Sequence, residues 1–275
     1  MDAKLQRRIQ RYGWDRAAEC YEAGWRNALA PAQAKAFTVA APSPGETVVD
    51  VACGTGLLTF PLADAGGPAG KVIATDLSGA KVDAISSAAR VRGMNHIQAQ
   101  RADAEELVQI PAEIADIYTC GLGLMYVPDP ARAIGEALRV LKPGGRAVIA
   151  VWGARAACGW AEIFPIVDAR VNSSVCPLFF ALGTGDTLAA EMSRAGFADV
   201  VHLRFATTLF YCDEESALEA AFAAGPVALA YSRFDEQTRL AAHREYLASI
   251  ERWWDGSAFQ IPGEFVVSWG RRPTV

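Results

Sequence analysis

The stretch VVDVACGTG, Val48 to Gly56, constrains this chain more than any other. It opens as an apolar, β-branched run, which reads as a buried strand. It closes on a turn with glycines at Gly54 and Gly56, and Thr55 to Ala65 continue with apolar residues at helical spacing. Strand, glycine turn and helix make the start of a βαβ nucleotide unit. Glycine lets the backbone come close to a ligand while the helix N-terminus faces it. A second strand, Lys71 to Thr75, ends in Asp76. An acid about 20 residues past such glycines is placed for ribose hydroxyls. Turn and acid together point to a site for an adenosine-type cofactor.

The residues around the glycines narrow the choice. A dinucleotide fold wants G-x-G-x-x-G, and position 59 is Thr59. A phosphate loop wants G-K-[ST] after its glycines, and Leu57 and Leu58 stand there instead. The run DVACGTG, Asp50 to Gly56, is followed in order by Asp76, by ADAEEL at Ala102 to Leu107, by GLMYVPDP at Gly123 to Pro130 and by LKPGG at Leu141 to Gly145. Over Val39 to Val151 this ordered set resembles the class I S-adenosylmethionine-dependent methyltransferases, nearest the branch of ubiquinone and menaquinone biosynthesis. The resemblance implies an α/β, Rossmann-like seven-stranded sheet with helices on both faces. An N-terminal helical lid and a helical insertion before the last strand belong to the same expectation. It also implies S-adenosyl-L-methionine as cofactor and one methyltransferase domain over 1–275. Within it we expect a helical cap at 1–40, a cofactor-binding core at 41–153, and a substrate-side lid, insertion and closing strands at 154–275.

Periodicity fills in the elements. Residues 1–37 read as helical, with Trp14, Ala17, Tyr21 and Trp25 on one face. Such a stripe is either a core contact or a lid that turns Tyr21 towards a bound ligand. Strands are expected at 47–52, 71–75, 96–100, 115–120 and 146–152, and helices at 56–65, 79–92 and 130–140. That alternation implies a parallel sheet. Pro143-Gly144-Gly145 reads as the turn into the fifth strand. Beyond Trp152 the pattern loosens. A helix is expected at 186–195 with Gly196 as its stop, a strand at 200–210, a continuous helical region at 214–254, and a closing strand at 264–271 entered by a Pro262-Gly263 turn.

Binding a sulfonium nucleoside sets three tasks. Asp50 and the loop Ala52, Cys53, Gly54 to Gly56 are placed for the amino-acid end. Asp50 serves either the cofactor or the loop itself, because a charged strand-end residue needs a partner. Asp76 fits the ribose diol, with Leu77 beside it. Asp103 serves either the adenine amino group or the cap of the segment that follows it, Ala104 to Leu107; the resemblance favours adenine, with Ala104 supplying a backbone amide. Tyr21 and Gly121 complete the set implied for the cofactor. Lys81 departs from the family, whose members commonly carry methionine beside the adenine there. A lysine keeps the apolar stem but adds a charge. Met125, Tyr126, Trp152, Trp160 and Phe164 are expected at the substrate, and the aromatic content of those regions favours an apolar or aromatic small molecule. Reaction is expected by in-line displacement at the activated methyl group, which makes a dedicated base optional. Tyr126 and His243 are the candidates for proton transfer, and no residue is assigned as catalytic.

Composition excludes several classes. Hydrophobic residues make up 52% of the 275, ample for a buried core. The net charge of −5 and the lack of a basic cluster beyond Lys4 to Arg11 argue against nucleic acid. No apolar run is long enough to span a bilayer. The six cysteines form no C-x-x-C pair and read as reduced, buried thiols in a cytoplasmic protein, with thiol capture of arsenite as the sharper alternative. His96, His202 and His243 are too scattered for a metal site. Two other functions share some of these features. A nicotinamide-dependent reductase would use the same turn and acid but needs a third glycine, and a Tyr-x-x-x-Lys pair is absent from the chain. A non-catalytic cofactor-binding subunit would keep all the motifs.

Overall fold

The computed structural model describes residues 3–18, 20–171 and 176–274. Two helices open it, α1 at Ala3–Ala17 and α2 at Tyr21–Ala40. The helical region expected at 1–37 is therefore divided, and its second part runs on to Ala40 with Pro31 inside it. Apolar strands and amphipathic helices then alternate: β1 Thr47–Val51, α3 Thr59–Gly66, β2 Lys71–Asp76, α4 Gly79–Val91, β3 Ile97–Arg101, β4 Ala115–Gly121, α5 Pro130–Val140 and β5 Leu141–Trp152. Local chemistry starts the helices where the motifs place them. Ser78 caps α4 by accepting the Lys81 N–H, and Asp129 caps α5 by accepting the Arg132 N–H at 3.0 Å, with Pro130 in the first turn.

Helix α6 at Ile163–Asp168 and α7 at Thr187–Arg194 follow, then β6 at Ala198–Tyr211. The insertion comes next and ends at β7, Phe259–Arg271. The strand order is β3-β2-β1-β4-β5-β7-β6, parallel through β5 and antiparallel at β7. This is the seven-stranded sheet expected.

Alternate residues of the central strands face opposite ways, so the sheet has two cores. Val49, Val51, Tyr118, Ile149 and Val151 pack with Ile134 and Ala137 of α5 and Leu188 and Met192 of α7. Val48, Val72, Ile117, Val148 and Ala150 pack with Leu62 and Ala63 of α3 and Ile85 and Ala89 of α4. Helices thus cover both faces, as a largely parallel sheet requires.

Three expected boundaries move. Pro143-Gly144-Gly145 lies inside β5 as an irregularity: Leu141 pairs with Ala115 and pairing resumes at Arg146 with Ile117. Pro262-Gly263 lies inside β7 rather than before it. Pairing with β5 begins only at Phe265, so Pro262 faces β6 alone and its missing N–H leaves no ladder position empty. The helical region at 214–254 is broken into α8 Glu214–Leu218, a π-turn at Glu219–Ala223, α9 Ala228–Tyr231, α10 Glu236–Ile250 and a 3₁₀ turn at Glu251–Trp253. The adjacent Gly225-Pro226 interrupts it, since glycine costs backbone order and proline brings no N–H.

Candidate cofactor and acceptor site

The carboxyl ends of β1, β2, β3 and β4 open on one side of the sheet, where open α/β sheets bind ligands. A cavity lies there, enclosing about 730 Å³ of space that is partly open to solvent. Tyr21, Ala52, Gly54, Asp76, Leu77, Asp103, Ala104, Gly121 and Tyr126 all line it. The structure thus brings together most of the residues expected at the cofactor.

Asp76 ends β2 and is largely buried. One carboxylate oxygen accepts the Gly54 N–H at 2.9 Å and the other accepts the Ser78 N–H at 2.9 Å. Each carboxylate oxygen has two lone pairs, so the group stays able to accept a pair of hydroxyls from the cavity. Gly54 has φ +57, and a side chain there would project towards Lys81 Nζ, 3.9 Å from its Cβ. The turn is therefore held by the same acid that faces the cavity. Of the two parts considered for Asp103, the structure forms the local cap, and Asp103 also lines the cavity. Its Oδ1 accepts the Glu105 N–H at 3.0 Å, while Oδ2 pairs with Arg7 of α1 at 3.0 Å.

Three expected cofactor residues lie behind the cavity wall. Asp50 is buried, and its carboxylate accepts the hydroxyls of Thr59 at 2.6 Å and Thr119 at 2.7 Å. The partner that a strand-end charge requires is this pair of threonines, so Asp50 ties β1 to β4 and to the first turn of α3. Burial without a cation pushes its carboxyl up to about 6, against the pull of the two hydroxyls. Cys53 is buried with its thiol far above its usual range, again through burial. Gly56 has φ +92, and a Cβ there would come within 2.5 Å of the Phe60 ring. Its smallness serves the packing of α3.

A second chamber adjoins the first and shares Trp14, Tyr21, Leu122 and Tyr126 with it. It encloses about 290 Å³ and is walled by Trp25, Leu29, Met125, Trp152, Trp160 and Phe179, with Gly225 and Pro226. Met125, Tyr126, Trp152 and Trp160 were expected at a substrate and are found here. Phe164 is not part of the wall: it lies behind, 4.8 Å from the Phe179 ring and 5.9 Å from Trp160. The rings meet mostly edge to face, Trp152 on Trp160 at 4.9 Å and Trp25 on Trp160 at 5.5 Å. The Trp160 indole N–H is buried and has no partner.

The two candidates for proton transfer separate. Tyr126 stands between the chambers, 4.9 Å from Trp14 and 5.3 Å from Phe179, and burial holds its phenol well above its ordinary range. Burial thus favours the neutral phenol there. His243 lies on α10, bonded to the Tyr231 hydroxyl at 2.9 Å, and lines neither chamber. Among the described residues no group of His, Cys, Asp or Glu is arranged to hold a metal.

The aromatic stripe of the N-terminal region was the signal for Trp14 and Trp25, which line the chambers from α1 and α2. Arg7 and Gln10 of α1, and Phe179 and Gly225-Pro226 far down the chain, carried no local motif that marked them.

Residues 31–158 match the model of the ubiE/COQ5 methyltransferase family. Over this stretch the chain is similar to the S-adenosylmethionine-dependent methyltransferases of that family. This methyltransferase is 28% identical over 206 residues to nocamycin O-methyltransferase of Saccharothrix syringae, covering 69% of this chain and 72% of that protein. It is 36% identical over 126 residues to demethylmenaquinone methyltransferase of Lactobacillus johnsonii, covering 45% of this chain and 48% of that one. The chain spans about half the length of the menaquinone-type relatives it matches. Among solved structures the YcgJ protein from Bacillus subtilis superimposes with a TM-score of 0.63 at 15% identity, over 88% of this chain and 98% of that one. That likeness is one of fold. The family match removes the nicotinamide-dependent reductase as a reading of the glycine turn. S-adenosyl-L-methionine is the cofactor, and the cavity suits it: a glycine turn without side chains, a buried acid with free lone pairs, and a cation on one wall.

Proposed function

We propose that this methyltransferase moves a methyl group from S-adenosyl-L-methionine to a small apolar or aromatic acceptor held in the tryptophan-walled chamber. The observation that carries the reading is the shared wall. Trp14, Tyr21, Leu122 and Tyr126 border both chambers, so the two lie side by side. The quinones named for the menaquinone- and naphthoquinone-type relatives agree with a cyclic organic acceptor.

The cofactor supplies a methyl group already activated by positive sulfur. The chain's own part is position. Asp76 and the Gly54 turn hold the adenosine end, with Asp103 and Ala104 at the adenine. The rings of Trp25, Trp152, Trp160 and Phe179 fix the acceptor and exclude water. Holding two reactants in attack geometry contributes about 7–11 kcal/mol in favourable cases. Tyr126, kept neutral, donates a hydrogen bond at the junction and orients a polar atom of the acceptor. We place the reaction in the cytoplasm and without nucleic acid. All six cysteines are free thiols, and the acidic balance of the chain disfavours a phosphate backbone. Among the described residues no helix is long and apolar enough to cross a membrane.

The test is methyl transfer from labelled cofactor to three panels: naphthoquinols and phenols, aliphatic amines, and carboxylic acids. Label should enter the aromatic panel. Label confined to the amines or acids would overturn the assignment of the chamber.

A further inference from the structure

Lys81 carries a buried charge that, among the described residues, no hydrogen bond or ion pair answers. It sits in the first turn of α4, is only 4% exposed, and lines the cofactor cavity. The other cation of the cavity wall, Arg7, is paired with Asp103 and Glu105. Among the described residues, no hydrogen bond or ion pair reaches the Lys81 ammonium. Asp76 and Asp15, whose charges act on it, form no ion pair with it and bond to other groups. Asp76 accepts the N–H groups of Gly54 and Ser78, and Asp15 accepts the Ser78 hydroxyl.

Two rings flank the ammonium. Nζ lies 4.0 Å from the centroid of Trp14 and 4.3 Å from that of Tyr21. Ring faces attract a cation but offer no lone pairs to its three N–H donors. They hold Nζ in place and leave its hydrogen-bonding capacity unused. Burial lowers the pKa of the ammonium, against the raising influence of Asp76, Cys53 and Asp15. A buried ammonium with unused donors beside an open cavity is a site for an anion.

Its position says which anion. Nζ stands 3.9 Å from the point where a Cβ would lie on Gly54, at the turn that lets a ligand approach the backbone. Asp76 is itself an acceptor and suits hydroxyls, so the ribose falls to it. S-adenosylmethionine has one anionic group, the carboxylate of its amino-acid end. We propose that Lys81 Nζ binds this α-carboxylate, clamped between Trp14 and Tyr21 of the N-terminal helices. The inference rests on the cavity being the cofactor site. It gives α1 and α2 a defined task, since the rings that aim the ammonium come from them. It also explains why a lysine stands where the family resemblance leads one to expect methionine.

The experiment is calorimetric titration of the full chain with two ligands. S-adenosylhomocysteine has the carboxylate. 5′-Methylthioadenosine shares the adenosine and the thioether but lacks the amino-acid end. Lys81→Met should weaken S-adenosylhomocysteine at least tenfold and 5′-methylthioadenosine less than twofold. Lys81→Arg should keep most of the affinity for the first ligand. Lys81→Gln, which keeps a polar end, carries the same comparison should the methionine variant melt early. Equal loss for both ligands, or no loss for either, would overturn the assignment. Wild-type protein that binds neither ligand would overturn the cofactor site itself, a separate result.

Discussion

The cofactor cavity and the aromatic chamber share a wall, yet they are assembled in opposite ways. The cavity floor is made of backbone, acids and one ammonium, and most of its parts lie at strand ends or helix starts within a run of βα units, with Arg7, Gln10, Trp14 and Tyr21 added from α1 and α2. Its polar groups hold one another: Asp76 takes the Gly54 and Ser78 N–H groups, and Asp103 takes Glu105 and Arg7. The chamber is made of rings from α2, the end of β5, the 3₁₀ turn at Gly159–Glu162, and Phe179, and is closed by Gly225-Pro226 of the insertion. It has few polar atoms, and one of them, the Trp160 N–H, is left without a partner. A local, polar site is set by short motifs. A non-local, apolar site is set by packing between distant segments.

The largest expected effect separates scaffold from ligand contact on the cofactor side. Gly56→Val puts a β-branched residue at φ +92 and within reach of the Phe60 ring. Left-handed strain and overpacking together cost roughly 2–5 kcal/mol of stability. Urea unfolding should show that loss in the protein without cofactor. Gly54→Ala, whose Cβ at φ +57 meets only Lys81 Nζ at an ordinary 3.9 Å, should cost about 1 kcal/mol of stability and act chiefly on cofactor affinity. A stable Gly56→Val that merely fails to bind would move Gly56 to the cavity side of the comparison.

Asp50 gives the next effect. Its folded pKa, about 6, is raised above the ordinary carboxylate value. The folded state therefore holds this proton more tightly than the unfolded state does. The contribution to stability is full below about pH 4 and is lost as pH rises through 6. The two-unit difference corresponds to about 3 kcal/mol. Asp50→Asn has no such proton to lose. Urea unfolding at about pH 4.5 and 7.5 should show wild type losing about 2 kcal/mol more than the Asp50→Asn variant between the two, the remainder having been lost already below about pH 4.5. Parallel behaviour would mean that the carboxylate is ionised and answered by a charge, as a cofactor ligand would be.

These two residues show how far the sequence can be read. The glycine turn, Asp76 and Asp103 were legible because each sits at a fixed distance along one chain segment from the strand that positions it. Asp50 was legible as a charge in need of a partner, but Thr119 is 69 residues away and belongs to another strand. Only the pairing of β1 with β4 brings it alongside. Pro262-Gly263 and Pro143-Gly144-Gly145 read as turns because local propensity says so; sheet pairing overrides it in both. The broken insertion was readable from Gly225-Pro226, two breakers side by side, though alanine-rich flanks pointed to a continuous helix. Phe164 shows the limit at the chamber, where a ring on the wall and a ring one layer behind it carry the same signal.

The division of labour between the two chambers is tested most directly by one calorimetric series, S-adenosylhomocysteine titrated into wild type, Asp76→Ala and Trp160→Phe. Hydrogen bonds to a charged group contribute about 1.5–3 kcal/mol each, so Asp76→Ala should lose at least about tenfold in affinity. Trp160→Phe keeps the ring packing and removes a donor that has no partner, so its affinity should stay within about twofold of wild type. Equal losses in the two variants, or an unchanged Asp76→Ala, would contradict an adenosine held at Asp76 and an acceptor chamber separate from it.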